Sequence, residues 1–282
     1  MTLYHYTDQN GFMGIFINQE LWATKIQYLN DKKEYTLALE LAKKHLEELI
    51  KNAEKQENRA LIAKLNYYIK SIPNIKDMNI CVSSLTENGD LLSQWRGYSN
   101  HLGGYSIGFN IFALEPFINH QGFELAKCIY EPKEQEKVIK KMINELIEEF
   151  NSEVEPSHKM LIHYESGNHF TNRLAKIAPL LKDSSFAEEC EWRIVSTVNF
   201  NNLEFRTGNS MLTPYFKIDL DSRKNQDFDR LIDEIIVGHT PHHELAISAT
   251  KAFILKHFPP ISGDYNECSI EVKQSRIPLR NW

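Results

Sequence analysis

The sequence predicts an α+β protein built on a mixed, mostly antiparallel sheet, and three observations lead there. Apolar and aromatic runs short enough for strands recur along the chain and dominate its last third. Between them, longer segments place apolar residues at three- and four-residue steps, the period of a helix packed on one face. The two kinds of segment do not alternate as β-α-β units would, so a doubly wound parallel sheet fits poorly.

In chain order, Leu3-Tyr4-His5-Tyr6 is aromatic and reads as a strand, Phe12 to Ile17 as a helical turn, and Leu21 to Thr24 as a second strand. Asp31 with Glu34 three residues on forms a capping box, and Leu39, Ala42, Leu46, Leu49 and Ala53 behind it share one helical face. A second helix carries Leu61, Leu65, Tyr68 and Ile72, with Pro73 expected to stop it. Strands follow at Asn79–Ser83 and Tyr105–Phe109, with a short helix over Leu91–Tyr98 between them, and another strand at Lys127–Tyr130. Beyond Pro132, a helical stripe runs through Val138, Met142, Leu146 and Phe150. Asn151–Lys159 reads as loop, and Phe170–Leu181 as a helix bent at Pro179. Strands are expected at Glu191–Val198, Leu203–Arg206, Tyr215–Leu220, Glu234–Val237 and Ser269–Ser275, with a helix over Leu245–His257 that Thr240 caps. No linker or repeat interrupts this. The expectation is one domain over residues 1–282, with a helical insert at about 31–73 and a helical segment at about 132–182.

The 282 residues are 42% hydrophobic and 25% charged, enough to bury a core and too apolar for a disordered chain. Net charge is 32 − 38 = −6, which argues against a non-specific nucleic-acid binder. The four cysteines, Cys81, Cys128, Cys190 and Cys268, form no CxxC and suit a reducing compartment. The start, MTLYHYTDQN, has neither the basic nor the apolar region of a signal peptide, and no apolar run approaches the roughly 20 residues that span a bilayer. A cytoplasmic protein without a membrane partner is expected.

Five clusters carry candidate chemistry. His5, flanked by Tyr4, Tyr6 and Thr7 near a strand end, offers groups that bond a ribose or amide; it also reads as a core histidine. Asn30-Asp31 with Glu34 is a polar edge or simply a helix cap. Ser83-Ser84 followed by Trp95 and Tyr98, one helical turn apart, offers a stacking platform or core packing. Glu189, Glu191 and Arg193 share a face if the strand extends back that far; two close carboxylates raise one pKa unless a cation balances them. A carboxylate there can orient a ribose hydroxyl and stabilise positive charge on a sugar, or serve a structural Glu–Arg network. His239, His242 and His243 lack a familiar metal-ligand spacing and read as a helix start, and no metal is expected.

On these residues the chain resembles the bacterial family Domain of Unknown Function 2971. The likeness runs through Leu3–Thr7, Leu29–Asp31 with Glu34, Cys81–Ser84, Leu92–Tyr98, Gly104–Phe109, Phe186–Arg193, Phe205-Arg206, Pro214-Tyr215 and Ile236–Gly238. A looser likeness is to ADP-ribosyltransferases of the His–Tyr–Glu type, in which an early histidine, a central aromatic and a late glutamate occur in that order. Glu189-Cys190-Glu191 also resembles the Glu-x-Glu pair of the arginine-modifying branch. That resemblance implies a split sheet that binds NAD. His5 would contact its ribose, Tyr98 or Tyr105 would stack on nicotinamide, and Glu191, with Glu189, would be catalytic. Tyr6, Thr7, Ser83, Ser84, Trp95 and Arg193 would complete the cofactor site.

The resulting expectation is an NAD-consuming enzyme that cleaves the nicotinamide–ribose bond. It would pass ADP-ribose to a protein, a nucleic acid or water, in the setting of a bacterial toxin or phage-defence effector with an antitoxin or defence partner. Two rivals stand beside it: a nucleotide- or phage-sensing module without turnover, and a nuclease whose metal is held by Asp31, Glu189 and Glu191.

Overall fold

A computed structural model describes residues 1–29, 34–98, 103–152, 169–208, 210–220, 228–259, 268 and 270–278. The α+β expectation holds, with a mostly antiparallel open sheet. Its strands are β1 (Thr2–Asp8), β2 (Glu20–Lys25), β3 (Ile80–Thr86), β4 (Gly104–Asn110), β5 (Glu124–Lys127), β6 (Glu191–Thr197), β7 (Glu204–Thr207), β8 (Leu212–Asp219), β9 (Ile232–Val237) and β10 (Glu271–Gln274). The path runs β10-β9-β4-β1-β3-β2-β8-β7, and β6 with β5 branches from β3. Among the described strands only β10 and β9 pair in parallel.

The branch gives the sheet its shape. On one side β3 pairs with β6 along its whole length, Ile80↔Thr197 to Thr86↔Glu191. On the other it is shared: Thr86 pairs with Tyr4 of β1, while Cys81 and Val82 pair with Lys25 and Thr24 of β2. Strands β1 and β2 therefore diverge, and Ser83, Ser84 and Leu85 lie at the fork between them.

Side chains alternate across the sheet, and the alternation sorts the core. Leu3, Ala23, Leu85, Ile107, Ile194, Ile218 and Ile235 fill one face with α1 (Gln9–Asn18), α5 (Ile111–His120) and α8 (His243–His257). Val82 and Val195 point to the other face, against α2 (Glu34–Lys55), α3 (Arg59–Ile75), α6 (Pro132–Ser152) and a helix over residues 169–177, α7. Farther along that second face Tyr6 and Ile236 pack on Trp95 of α4 (Leu92–Tyr98). Between the two groups the second face is polar.

Several boundaries differ from expectation. Pro73 sits inside the last turn of α3, which continues to Ile75; a proline so near the end removes one hydrogen bond without stopping the helix. The buried stripe of α6 keeps the expected Met142 and Leu146 but is completed by Gln135, Ile139 and Ile143 in place of Val138 and Phe150. Strand β5 lies at Glu124–Lys127, ahead of the run expected to Tyr130, and Ile129 makes only an isolated bridge to Leu181. Helix α8 begins at His243; Thr240 Oγ1 instead accepts from the His242 backbone N–H, 3.2 Å away. Asn30 and Asp31, the Glu34 side chain and the Asn151–Lys159 loop apart from 151–152 lie outside the described residues.

A half-buried carboxylate ties α4 to the segment that follows the last strand. Asp90 Oδ1 accepts from Trp95 Nε1 at 2.7 Å and Ser275 Oγ at 2.6 Å, and Oδ2 from the Arg276 backbone N–H at 2.7 Å. Three donors on one carboxylate make Asp90→Ala costly, because two of them belong to the buried Trp95 and Ser275 and lose their acceptor. Urea unfolding of Asp90→Ala is expected to show a loss of about 2–4 kcal/mol, with a smaller loss for Asp90→Asn. An unchanged midpoint contradicts this account of the clasp.

Candidate functional site

The sequence-expected residues divide between two places on adjacent strands. The first is an ionic lattice at the start of β6. Glu191 is buried, and both its oxygens are used: Arg193 Nε donates to Oε1 at 2.9 Å, Arg193 Nη2 to Oε2 at 3.1 Å, and Lys182 Nζ to Oε2 at 2.6 Å. Glu189 precedes the strand, in a 3-10 turn, and Cys190 between them takes a left-handed φ of 43°. That turn still carries Glu189 Oε2 to the same Lys182 ammonium. Arg193 Nη1 donates to the Pro179 carbonyl at 2.5 Å, and the Glu191 N–H donates to Tyr130 Oη at 2.8 Å. Two acids and two bases thus balance in a buried cluster. Burial works to raise the Glu191 pKa, but Arg193 and Lys182 outweigh it and hold the carboxyl below its ordinary range.

Tyr98 ends α4 beside this lattice and is 45% exposed. Burial of its hydroxyl, then the Glu191 and Glu189 charges, raise its pKa. Trp95, one turn earlier, is fully buried: its ring meets Tyr6 edge-on at 4.8 Å and its Nε1–H serves Asp90. Tyr6 is likewise buried, its hydroxyl donating to the Asn88 carbonyl at 2.8 Å. The Trp95–Tyr98 pair is therefore half core and half surface.

The second place is the fork. His5 Nδ1–H donates to the Ser84 carbonyl at 3.0 Å, filling the gap where β1 has left β3. Burial lowers the imidazole pKa, the Ser84 bond partly opposes this, and Arg206 lowers it further. The ring is neutral at pH 7, with Nε2 an acceptor. Arg206 on β7 supplies a group the sequence reading did not single out. Its Nη2 donates to Thr24 Oγ1 at 2.9 Å, and its guanidinium lies 5.5 Å from the Trp22 ring centroid and 5.8 Å from that of Tyr215. Burial lowers its pKa, and among the described residues it makes no ion pair with a carboxylate. A half-buried arginine without a carboxylate partner has the chemistry to receive an anion. The sequence offered a faint signal in Phe205-Arg206, but nothing local relates that dipeptide to His5, 201 positions earlier.

The register sets His5 apart from Glu191. Tyr4, Thr86 and Glu191 are in line across three strands and point to one face, so His5 points to the other, whereas Arg206, on the face that Thr24 shares with Val82 and Val195, is on the same face as Glu191. The strands of His5 and Glu191 are two spacings apart, about 9–10 Å. Ser84 joins the two places, opposite Arg193 on β6 and bonded to His5 through its carbonyl. Ser83 is buried, and its Oγ has no partner among the described residues. Thr7 lies opposite Tyr105 on β4, and Tyr105 stacks on Phe12 at 4.0 Å with its hydroxyl 3.2 Å from Thr250 Oγ1. Those two belong to the layer under α1 and α8. Among the described residues no three of His, Cys, Asp and Glu gather as a metal requires, and no helix is long and apolar enough to cross a membrane.

Residues 94–194 match the model of a family described as "Protein of unknown function (DUF2971)". The matched stretch holds Trp95, Tyr98, Tyr105 and the ionic lattice, and leaves out His5, Ser83, Ser84 and Arg206. No curated protein and no solved structure matches the chain.

Glu191 and His5 both give the stability a pH signature. The folded Glu191 pKa lies below 4.5, so its contribution is complete above that pH and is lost as pH falls through the folded value. The folded His5 pKa lies below 6.5, so the unfolded chain takes up that proton first and stability declines as pH drops below 6.5. Urea titrations at stepped pH should find the lower limb flattened by Glu191→Gln and the upper one by His5→Gln. Glu191→Ala, which strands Lys182 and Arg193, is expected to cost about 3–5 kcal/mol. Unaltered pH profiles in both glutamine variants contradict these assignments.

Proposed function

We propose that this chain, DUF2971-like from α4 to β6, binds a phosphate-bearing nucleotide at the fork of its sheet, with NAD the candidate its sequence resemblance implies. The observation that carries this reading is Arg206. It is a half-buried cation with no carboxylate in contact among the described residues. A phosphate meets the guanidinium with charge-assisted hydrogen bonds. Trp22, 37% exposed, presents a ring on which a base can stack. Together these match the phosphate and the base of a nucleotide.

Turnover is a second reading, favoured by Tyr98 and Glu189. Both lie on the polar second face, and the Glu189 side chain is 22% exposed with only Oε2 on Lys182. In that reading the C1′–N bond of NAD breaks, neutral nicotinamide departs with the bonding pair, and an acceptor oxygen or nitrogen bonds to C1′ and gives up its proton. A carboxylate stabilises the charge that develops on the sugar. Glu191 suits this less, since both of its oxygens are held and His5 faces away from it. Recognition without turnover is therefore the reading the geometry favours, and an ADP-ribosyltransferase or NAD glycohydrolase remains the alternative.

Calorimetry with NAD, ADP and AMP separates these readings. Saturable binding of at least one is expected, weakened roughly 10- to 100-fold by Arg206→Gln with the melting temperature nearly unchanged. Absence of saturable binding to all three overturns the nucleotide reading. Nicotinamide released from NAD by the wild type and abolished in Glu189→Gln establishes turnover; binding without release leaves the sensor.

A further inference from the structure

A pair of opposite charges lies beside Trp22, on the face it shares with Arg206. Glu20, Trp22 and Thr24 alternate onto that face of β2, and Lys217 of β8 stands directly opposite Trp22. Glu20 Oε2 is 3.9 Å from Lys217 Nζ, an ion pair too long for a hydrogen bond. The two side chains are 25% and 40% exposed, and among the described residues neither makes a hydrogen bond. An open pair of this kind contributes little to stability, and its donors and acceptors are free for a ligand. Trp22 leans on the buried Tyr215, ring centroids 4.4 Å apart at 36°. Burial raises the Tyr215 pKa, and Lys217, Glu204, Glu20 and Arg206 all lie close enough for their charges to act on its hydroxyl. Arg206 and the Glu20–Lys217 pair therefore flank one aromatic platform. Arg206 marks its Thr24 end, through the 2.9 Å bond from Nη2 to Thr24 Oγ1. Glu20 lies four residues from Thr24 on the same strand, about 13 Å away.

We infer, resting on the nucleotide reading, that Glu20 and Lys217 read the base stacked on Trp22 and select guanine. A nucleotide with its phosphate at Arg206 and its base on Trp22 directs the outer edge of that base along β2 toward the pair. Guanine presents there one acceptor, O6, beside two donors, N1–H and the 2-amino group. The Glu20 carboxylate accepts both donors, one on each oxygen, and the Lys217 ammonium donates to O6. Adenine offers the same pair one acceptor, N1, and one donor, the 6-amino group, so one carboxylate oxygen goes unused. Stacking and the phosphate contact are common to both bases and do not separate them. The discrimination lies in Glu20, which is the group that the 2-amino substituent meets. NAD, whose bases are adenine and nicotinamide, falls in the weaker class.

Calorimetry of the full chain with GMP, IMP and AMP, which share phosphate and ribose, tests the choice of base. IMP keeps O6 and N1–H but lacks the 2-amino group. GMP is expected to bind at least about tenfold more tightly than AMP, with IMP between them. Glu20→Ala should bring GMP down to the affinity of AMP and leave AMP nearly unchanged, whereas Arg206→Gln should weaken all three alike. AMP bound as tightly as GMP, IMP indistinguishable from GMP, or a preference for GMP that survives Glu20→Ala overturns the guanine assignment. In each of those outcomes the AMP signal persists, so the nucleotide site itself stands. Absence of binding to all three removes the nucleotide site and the choice of base together.

Discussion

The rest of this structure depends on how β3 divides its hydrogen bonds. One side of the strand is spent on β6 over seven consecutive pairs. The other side is split, one pair going to β1 and two to β2. A backbone between two departing strands has polar groups to satisfy, and the Ser84 carbonyl is satisfied by a side chain, the His5 imidazole. The imidazole thus replaces a ladder bond at the point where the sheet opens. Everything of chemical interest follows from that opening. It fixes the tautomer of His5, sets the distance from β1 to β6, and lets β2 and β8 carry Trp22, Thr24 and Tyr215 toward an arginine from the edge strand.

Two clusters of charge lie near the opening, and their energetics differ. The Glu189–Lys182–Glu191–Arg193 lattice is internally neutral, and each buried ion has hydrogen-bonded partners of opposite sign. Such an arrangement fastens the turn over residues 178–189 to β6 and has little left to offer a ligand. Arg206 is the reverse. It is half-buried, has aromatic faces beside it, and among the described residues donates to one hydroxyl. The difference between a compensated and an uncompensated cation separates structure from recognition more sharply than residue type does.

Much of the fold was legible in the sequence. The face of α2 through Leu39, Ala42 and Leu46, the strand at β6 and the bend at Pro179 all follow from local period and proline chemistry. The burial phase of α6 was not, because Val138 and Ile139 are neighbouring apolar residues and only the packing against α2 and α7 selects between them. Proximity of Glu189, Glu191 and Arg193 was also readable, although the reason differs. A left-handed residue at Cys190 breaks the strand, and Lys182 regathers the two acids. The relation of His5 to Glu191 was beyond reach, since it rests on the register of β1, β3 and β6 and hence on which face each residue takes. Arg206 was missed for the same reason: its partners Thr24 and Trp22 lie more than 180 positions away and meet it only through β8.

The state of the His5 ring is where this account is most exposed. A nitrogen-15 spectrum of the imidazoles at neutral pH, with His5 assigned by its absence in His5→Gln, reports directly which nitrogen bears the proton. The fork as described requires an uncharged ring protonated at Nδ1, with Nε2 bare and titration below 6.5. A ring protonated at Nε2 alone, or a doubly protonated one at pH 7, means that His5 does not bridge β1 to Ser84, and the opening in the sheet is then built some other way.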